Sequence, residues 1–145
     1  MKQMLLTLVI SLLAAPFAAR AAEVDPATLY TLSTEGTSAS LASGAQGTYV
    51  LTIQPKEGAY LSDETPFKLQ LTGDKVKPAM ETLKLTDSVN RKAAGQKDVA
   101  PRFEVPLTAG TAGAGKVDAK VTFFICTEKL CARQVRTVSA PIAVK

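Results

Sequence analysis

The sequence predicts an all-β protein, specifically an immunoglobulin-like antiparallel β-sandwich of about seven strands. Apolar and polar residues alternate in short runs along most of the chain, which is the pattern of half-buried strands. Turn-forming residues separate these runs at regular spacing, and no segment shows the period of an amphipathic helix. These observations favour two packed antiparallel sheets over any helical or mixed architecture.

The first 21 residues have the features of an export signal. Lys2 supplies the positive charge, residues 4–15 are almost continuously apolar, and Ala19-Arg20-Ala21 fits the small-x-small cleavage pattern. We expect cleavage after Ala21, which leaves 124 of the 145 residues, 22–145, as a single domain. No later stretch is apolar enough to span a bilayer. The sequence therefore predicts a periplasmic protein without a membrane span.

The chain up to residue 107 contains four clear strand patterns. Alternating runs lie at residues 49–53, 67–71, 83–85 and 103–107, after weaker alternation at 30–32 and near 41. Pro106 has the parity opposite to the apolar side chains of its run. Because proline cannot donate to a sheet ladder, we expect an edge strand there. Residues 87–100 show no period and are predicted to form a polar loop.

The last third of the chain has the clearest alternation. One face carries Val117, Ala119, Val121, Phe123 and Ile125. The other face includes Phe124 and Cys126, so both side chains are predicted to point away from the core. A final strand is expected over residues 133–144, bent near Pro141.

The only two cysteines are Cys126 and Cys131. If residues 127–130 form a hairpin loop, the two cysteines lie directly opposite each other. A non-hydrogen-bonded antiparallel pair has its Cα atoms about 4.5 Å apart, which a disulfide can bridge. The same register places Arg133 opposite Phe124 and Arg136 opposite Val121. Because an inward-facing arginine is unfavourable, we expect a bulge after Cys131 that turns Arg136 outward.

The residues alone leave two interpretations of this cysteine pair open. The first is a structural disulfide that closes a short loop and stabilises the fold by about 2 kcal/mol. The second is a thiol–disulfide exchange site, because an outward-facing disulfide at a hairpin tip is accessible to a partner's thiolate. Lys129 and Arg133 lie nearby and would favour the thiolate form of the cysteines.

Several functions are excluded by composition. The chain has no histidine, so it cannot contain a Ser-His-Asp or Cys-His catalytic site. A closed zinc site needs about four ligands, and only Cu(I) bound by both thiolates remains as a metal alternative. With no methionine or histidine near the pair to complete a Cu(I) site, we expect no cofactor. The net charge of +4 includes Lys2 and Arg20, so the mature chain carries +2 and is not predicted to bind nucleic acid.

The cysteine segment and its flanks resemble a known family. The residues concerned are F-F-I-C-T-E-K-L-C at 123–131, preceded by G-K-V-D-A-K-V at 115–121 and followed by S-A-P-I-A-V at 139–144. Together with I-Q-P-K-E-G-A-Y at 53–60, they resemble the N-terminal domain of the thiol:disulfide interchange protein DsbD. The resemblance covers roughly residues 38–144, and its specific part is the cysteine hairpin.

This resemblance implies an immunoglobulin-like domain in the periplasm with a redox-active cysteine pair. Cys126 and Cys131 would cycle between dithiol and disulfide, and Cys131 would form the mixed disulfide with a thioredoxin-like or other dithiol partner. A loop near residues 62–67 would cap the pair, which makes Tyr60, Asp63 and Phe67 candidates for shielding it. The function predicted is thus thiol–disulfide exchange with a partner protein. The alternative is a non-catalytic exported binding domain with a structural disulfide.

The chain also departs from the family. Many members carry prolines just after the second cysteine, where this sequence has Ala132-Arg133. We expect no membrane-embedded domain that delivers electrons after the hairpin, because residues 132–145 contain no membrane-spanning stretch. We therefore expect another chain to supply the reductant or oxidant.

Overall fold

The computed structural model describes residues 23–90 and 99–145, so the predicted signal segment and the centre of the predicted 87–100 loop lie outside the described residues. The described residues form ten β-strands and two short 3-10 turns, Pro26–Thr28 and Leu85–Asp87. The strands are β1 (Tyr30–Ser33), β2 (Ser40–Leu41), β3 (Gln46–Pro55), β4 (Tyr60–Leu61), β5 (Lys68–Asp74), β6 (Val76–Pro78), β7 (Thr82–Leu83), β8 (Arg102–Ala109), β9 (Gly113–Cys126) and β10 (Cys131–Val144). Three of the ten have only two residues, so seven strands build the framework.

The strands form two sheets with the order of an immunoglobulin-like sandwich. One sheet has the order β1-β3-β8-β6, and the other has the order β2-β10-β9-β5-β7, with β4 added beside β9. The first order corresponds to strands A, B, E and D of immunoglobulin domains, and β5, β9 and β10 correspond to C, F and G. The predicted fold class is confirmed.

The core lies between the two sheets and consists of the side chains that the alternation placed inward. In β3, Tyr49, Leu51 and Ile53 are completely buried. Phe103 and Val105 lie beside them on the neighbouring strand β8 and are also completely buried. The inward face of β9 is buried from Gly115 to Ile125. The prediction of these three strands from a period of two is confirmed.

Two details of the predicted strands are wrong. The strand expected at 83–85 ends at Leu83, because the chain turns into the 3-10 turn at Leu85–Asp87. The strand containing Pro106 is not an edge strand, since β8 lies between β3 and β6. The proline is tolerated because the pairing with β6 ends at Leu107, and Pro106 contributes only its carbonyl, which accepts from the Ala79 amide.

The β9–β10 hairpin is the longest pairing in the described structure. Its register is continuous from Cys131 opposite Cys126 to Val144 opposite Gly113. The predicted bulge after Cys131 is therefore wrong, and Arg136 lies opposite Val121 on the inward parity. It remains exposed because this part of β10 is at the open side of the sandwich.

Arg136 also has a specific partner at that position. Its Nε donates to the Tyr30 hydroxyl at 2.7 Å, and this hydroxyl donates to Oε1 of Gln134 at 2.9 Å. The Tyr30 ring packs edge-on against Phe123 with 4.8 Å between the centroids. The inward polar side chains of β10 are thus hydrogen-bonded at the rim of the core instead of being turned away by a bulge.

Candidate functional site: the disulfide hairpin

The two cysteines are joined where β9 ends and β10 begins. Cys126 and Cys131 form a disulfide with an S–S distance of 2.03 Å and a Cα–Cα distance of 4.1 Å. They are direct cross-strand neighbours, as the predicted four-residue loop requires, and Arg133 lies opposite Phe124. The structure therefore confirms the predicted pairing and brings both predicted site residues together.

The loop between the cysteines is ordered by one threonine. The Thr127 amide donates to the Leu130 carbonyl at 2.7 Å. The Thr127 hydroxyl accepts from the amides of Lys129 at 3.2 Å and Leu130 at 3.3 Å. Such local side-chain bonds replace the ladder bonds that end at a hairpin tip. Cys131 is therefore held in one position relative to Cys126 by the loop as well as by the disulfide.

The two cysteines differ sharply in accessibility. Cys126 is 0 % exposed, whereas Cys131 belongs to the exposed residues at the start of β10. The sequence predicted a partly exposed disulfide with Cys126 facing outward. The register gives Cys126 that parity and the disulfide is exposed through Cys131, whereas Cys126 itself is buried, with β4 paired beside it. The Cys126 sulfur is consequently inaccessible from solvent, and Cys131 is the accessible half of the bond.

The strand that borders Cys126 on its other side is β4. Tyr60 lies directly opposite Cys126 and Leu61 lies opposite Ile125, and the Ser62 amide continues the contact by donating to the Phe124 carbonyl at 3.4 Å. Side chains directly opposite each other in an antiparallel pair have Cβ atoms about 5 Å apart. Tyr60 and Cys131 therefore flank Cys126 from both sides on the outer face.

The other two residues considered for shielding lie elsewhere. Phe67 has the inward parity and stacks on the buried Phe103 ring at 5.2 Å, so it belongs to the core and not to the outer face. Asp63 is exposed and lines a groove beside Leu85 and Val99. Of the three candidates, the register brings Tyr60 alone next to the cysteine pair.

The surroundings of the exposed sulfur are basic. Lys129 in the loop and Arg133 two residues after Cys131 are both exposed. Within the described ranges the ion pairs are Arg102–Glu104 and Lys116–Asp118, so neither of these two cations is bound to a described carboxylate. Glu128 is the acidic residue of the loop. The positive charges near Cys131 would stabilise a thiolate formed when the disulfide opens.

Two groups away from the cysteines have shifted pKa values. Burial raises the pKa of the Tyr49 hydroxyl, which has no hydrogen-bond partner among the described residues. The hydrogen bond from Ser139 and then that from Lys116 lower the pKa of Asp118. Tyr49 is enclosed in the core and Asp118 is half-buried on the outer face of the hairpin, so neither forms a site with the cysteines.

A groove of about 260 Å³ lies near β4. It is lined by Leu61, Asp63, Leu85, Thr86, Ser88, Asn90, Val99 and Pro101. Leu61 is buried toward the core, so the groove lies on the other face of β4 from the disulfide. Sequence reasoning missed this groove because its walls come from segments far apart in the chain.

Two further kinds of feature were sought among residues 23–90 and 99–145. No group of three or more cysteine or carboxylate side chains is arranged to hold a metal ion. In the same residues, no helix has the length and hydrophobicity needed to cross a bilayer.

Comparisons with known proteins identify no family for this chain. No protein-family model matches the chain, and no curated protein matches it. The solved structures that match include domains 4 and 5 of the S-layer protein SbsC, with 13 % identity and a TM-score of 0.39 over 79 % of this chain and 50 % of that one. Murine CRIg matches with 12 % identity and a TM-score of 0.35 over 80 % and 98 %.

A third match is the CooA pilin subunit from enterotoxigenic Escherichia coli. It has 14 % identity and a TM-score of 0.27 over 81 % of this chain and 99 % of that one. The chain spans half the length of the SbsC fragment. The description of this protein therefore rests on its own strand order and bonding. It is an immunoglobulin-like β-sandwich that carries a disulfide at the tip of its last hairpin.

Proposed function

We propose that this protein is a thiol–disulfide exchange module that passes electrons to or from a partner protein through Cys126 and Cys131. The observation that carries the proposal is the difference between the two sulfurs: Cys126 is fully buried and Cys131 is exposed on a basic hairpin tip. Exchange needs an accessible sulfur to be attacked and a second sulfur to leave. The resemblance of the cysteine segment to the N-terminal domain of DsbD supports the same proposal.

The buried and exposed sulfurs assign an order to the steps. A partner thiolate attacks Sγ of Cys131, the S–S bond breaks, and the Cys126 sulfur leaves with the bonding electron pair as a thiolate. A second partner thiolate then attacks the partner's own sulfur in the mixed disulfide, and Cys131 leaves as a thiolate. The partner is oxidised to a disulfide, and the hairpin gains two electrons and, after protonation, two protons. In the reverse direction, the Cys131 thiolate attacks the partner's disulfide and forms the mixed disulfide. The Cys126 thiolate then attacks Sγ of Cys131, and the partner's sulfur leaves as a thiolate.

The proposal extends to location and partner. The export signal expected at residues 1–21 favours the periplasm, where exposed disulfides persist and exchange. A thioredoxin-like protein or another dithiol protein is the partner class that this chemistry requires. No cofactor takes part, since the two sulfurs carry the electrons.

The second candidate function is a non-catalytic exported binding domain with a structural disulfide. The complete burial of Cys126 favours it as well, because a buried sulfur is protected from exchange. Most disulfides of exported proteins are structural. The two candidates differ in how easily the bond is reduced.

The test is the reduction potential of the Cys126–Cys131 pair, measured by equilibration against glutathione buffers. An exchange module is expected at about −250 to −120 mV, the range of known exchange proteins. A value below about −300 mV is typical of a structural disulfide and would contradict the proposal. Alkylation followed by mass measurement reads the oxidised fraction, and the Cys126→Ala and Cys131→Ala variants control for alkylation at a single cysteine.

A further inference from the structure

The strand that carries Cys131 has an open edge. β10 pairs with β9 along its whole length, but on its other side it pairs with β2 only through Ala143 and Val144. In the described ranges no strand pairs with this other side between Cys131 and Ile142. A row of backbone groups is therefore left without ladder partners beside the exposed sulfur.

The residues whose backbone groups point toward this edge can be identified. The amides of Ala143 and Lys145 donate across the edge to carbonyls of the β2 segment at 3.0 and 2.9 Å. Because backbone direction alternates along a strand, the other odd-numbered residues of β10 point the same way. These residues are Cys131, Arg133, Val135, Thr137 and Ser139. All five are exposed.

The 3-10 turn Pro26–Thr28 approaches β10, but neighbouring segments described in the structure form no ladder on this edge before Ala143. The Gln134 side chain donates to the Arg133 carbonyl at 3.0 Å, and Tyr30 contacts β10 through its hydroxyl. Among the described residues no backbone bond reaches β10 from this side before Ala143. Val135, in the middle of the edge, is a large apolar residue that is 40 % exposed.

We propose that the edge of β10 from Cys131 to Ser139 is a strand-addition site for an extended segment of the partner, which delivers the partner's cysteine to Cys131. The inference rests on the proposed function and adds how the partner is recognised. β2 already pairs with the far end of the same edge, which shows that the backbone of β10 can support a ladder on this side. Arg133 and Arg136 are exposed along it, so the segment that fits best carries acidic side chains.

The reaction at this edge is the first of the two exchange steps, the formation of the mixed disulfide. The thiolate of the paired segment attacks Sγ of Cys131, a new S–S bond forms, and Cys126 leaves as a thiolate that takes up a proton. Pairing places the attacking sulfur beside Cys131 before reaction. The expected consequence is a faster second-order reaction for a strand-forming peptide thiol than for a small thiol of equal reactivity.

The test uses the oxidised protein and synthetic peptide thiols. Each peptide has about seven residues, the usual length of a strand, with alternating threonine and glutamate and a single terminal cysteine. A cysteine at the carboxyl end suits antiparallel pairing and one at the amino end suits parallel pairing. The control peptide is identical except that proline, which cannot donate to a ladder, replaces the central residue. Acid quenching and mass measurement follow the mixed disulfide, with 2-mercaptoethanol as the reference thiol.

The matched protein variants are Val135→Pro and Val135→Thr. Proline removes an edge-facing amide that β9 does not use, and Pro141 shows that β10 accepts proline at this parity. Threonine changes the side chain and keeps the amide. We expect Val135→Pro to slow the better peptide about fivefold, the equivalent of one backbone hydrogen bond, and Val135→Thr to leave its rate unchanged.

Each outcome separates the two proposals. If the strand-forming peptides react no faster than the proline-containing control, strand addition is wrong, whether or not Val135→Pro folds. If Val135→Pro folds and the peptide advantage persists, the edge of β10 is not the site. If 2-mercaptoethanol itself fails to open the bond under conditions that reduce other exchange proteins, the proposed exchange function fails first.

Discussion

The two strands of the last hairpin have the same length and pair over all their residues, yet their environments differ. β9 is central: β10 lies on one side, and β4 and β5 lie on the other. β10 is free along most of one edge, and its inward positions are buried only from Ala140 onward. Cys126 ends the central strand and Cys131 begins the edge strand. The unequal exposure of the two sulfurs is therefore a consequence of sheet topology and not of the cysteines themselves.

The largest expected effect is the difference in the free energy of unfolding between a buried substitution in β9 and an exposed substitution in β10. Phe123→Ala in β9 removes a buried ring that packs against Tyr30, and we expect it to lower the free energy of unfolding by about 3–5 kcal/mol. Val135→Ala in β10 changes an exposed side chain and is expected to stay within about 0.5 kcal/mol of the wild type. Urea denaturation of both variants measures the contrast. Similar losses would show that β10 is packed as tightly as β9.

The second prediction compares the cysteines directly. Cys126→Ser and Cys131→Ser both remove the disulfide, worth about 2 kcal/mol for so short a loop. Cys126→Ser also places a hydroxyl at a fully buried position, so we expect it to be less stable than Cys131→Ser by about 1–3 kcal/mol. Denaturation midpoints of the two variants provide the measurement.

Wild-type protein with reduced cysteines serves as the control for loss of the bond alone. Its stability is expected to match that of Cys131→Ser more closely than that of Cys126→Ser. Equal stabilities of the two serine variants would contradict the burial difference on which the order of exchange steps depends.

The smallest effect concerns the outer face that the two strands share. Ser139 of β10 donates a hydrogen bond to Asp118 of β9, and Lys116 pairs with the same carboxylate at 3.0 Å. These contacts lower the pKa of Asp118, so their stabilisation is present above the unfolded-state pKa and is lost as the pH falls through the folded-state pKa. Ser139→Ala is expected to raise the pKa of Asp118 toward its ordinary value.

NMR titration of the Asp118 carboxyl carbon measures that change. Thr137→Ala, on the same face of β10 but not opposite Asp118, is the matched control and is expected to leave the titration unchanged. An unchanged pKa in Ser139→Ala would show that the hydrogen bond across the strands does not persist in solution.

Much of the hairpin could be predicted because its information is local. The alternation from Val117 to Ile125 predicted a strand with one buried face, and the four residues between the cysteines fixed their pairing. The same count correctly placed Arg133 opposite Phe124. A period of two and a loop length need no knowledge of the rest of the chain.

The errors arose where a distant segment decides the environment. The expected bulge assumed that an inward parity means burial, but Arg136 lies at the open rim and bonds to the Tyr30 hydroxyl. Cys126 has the outward parity, but β4 pairs beside it and the residue is fully buried. Neither contact has a signal within the hairpin sequence.

By itself, the sequence determined the fold class, the main strands and the cysteine pairing, since each depends on side-chain period and loop length over a few neighbouring residues. The tertiary structure alone decided which sulfur is buried, which edge of the hairpin is open and which inward side chain reaches the rim. These properties depend on segments more than sixty residues away along the chain, whose positions only the packing of the two sheets determines.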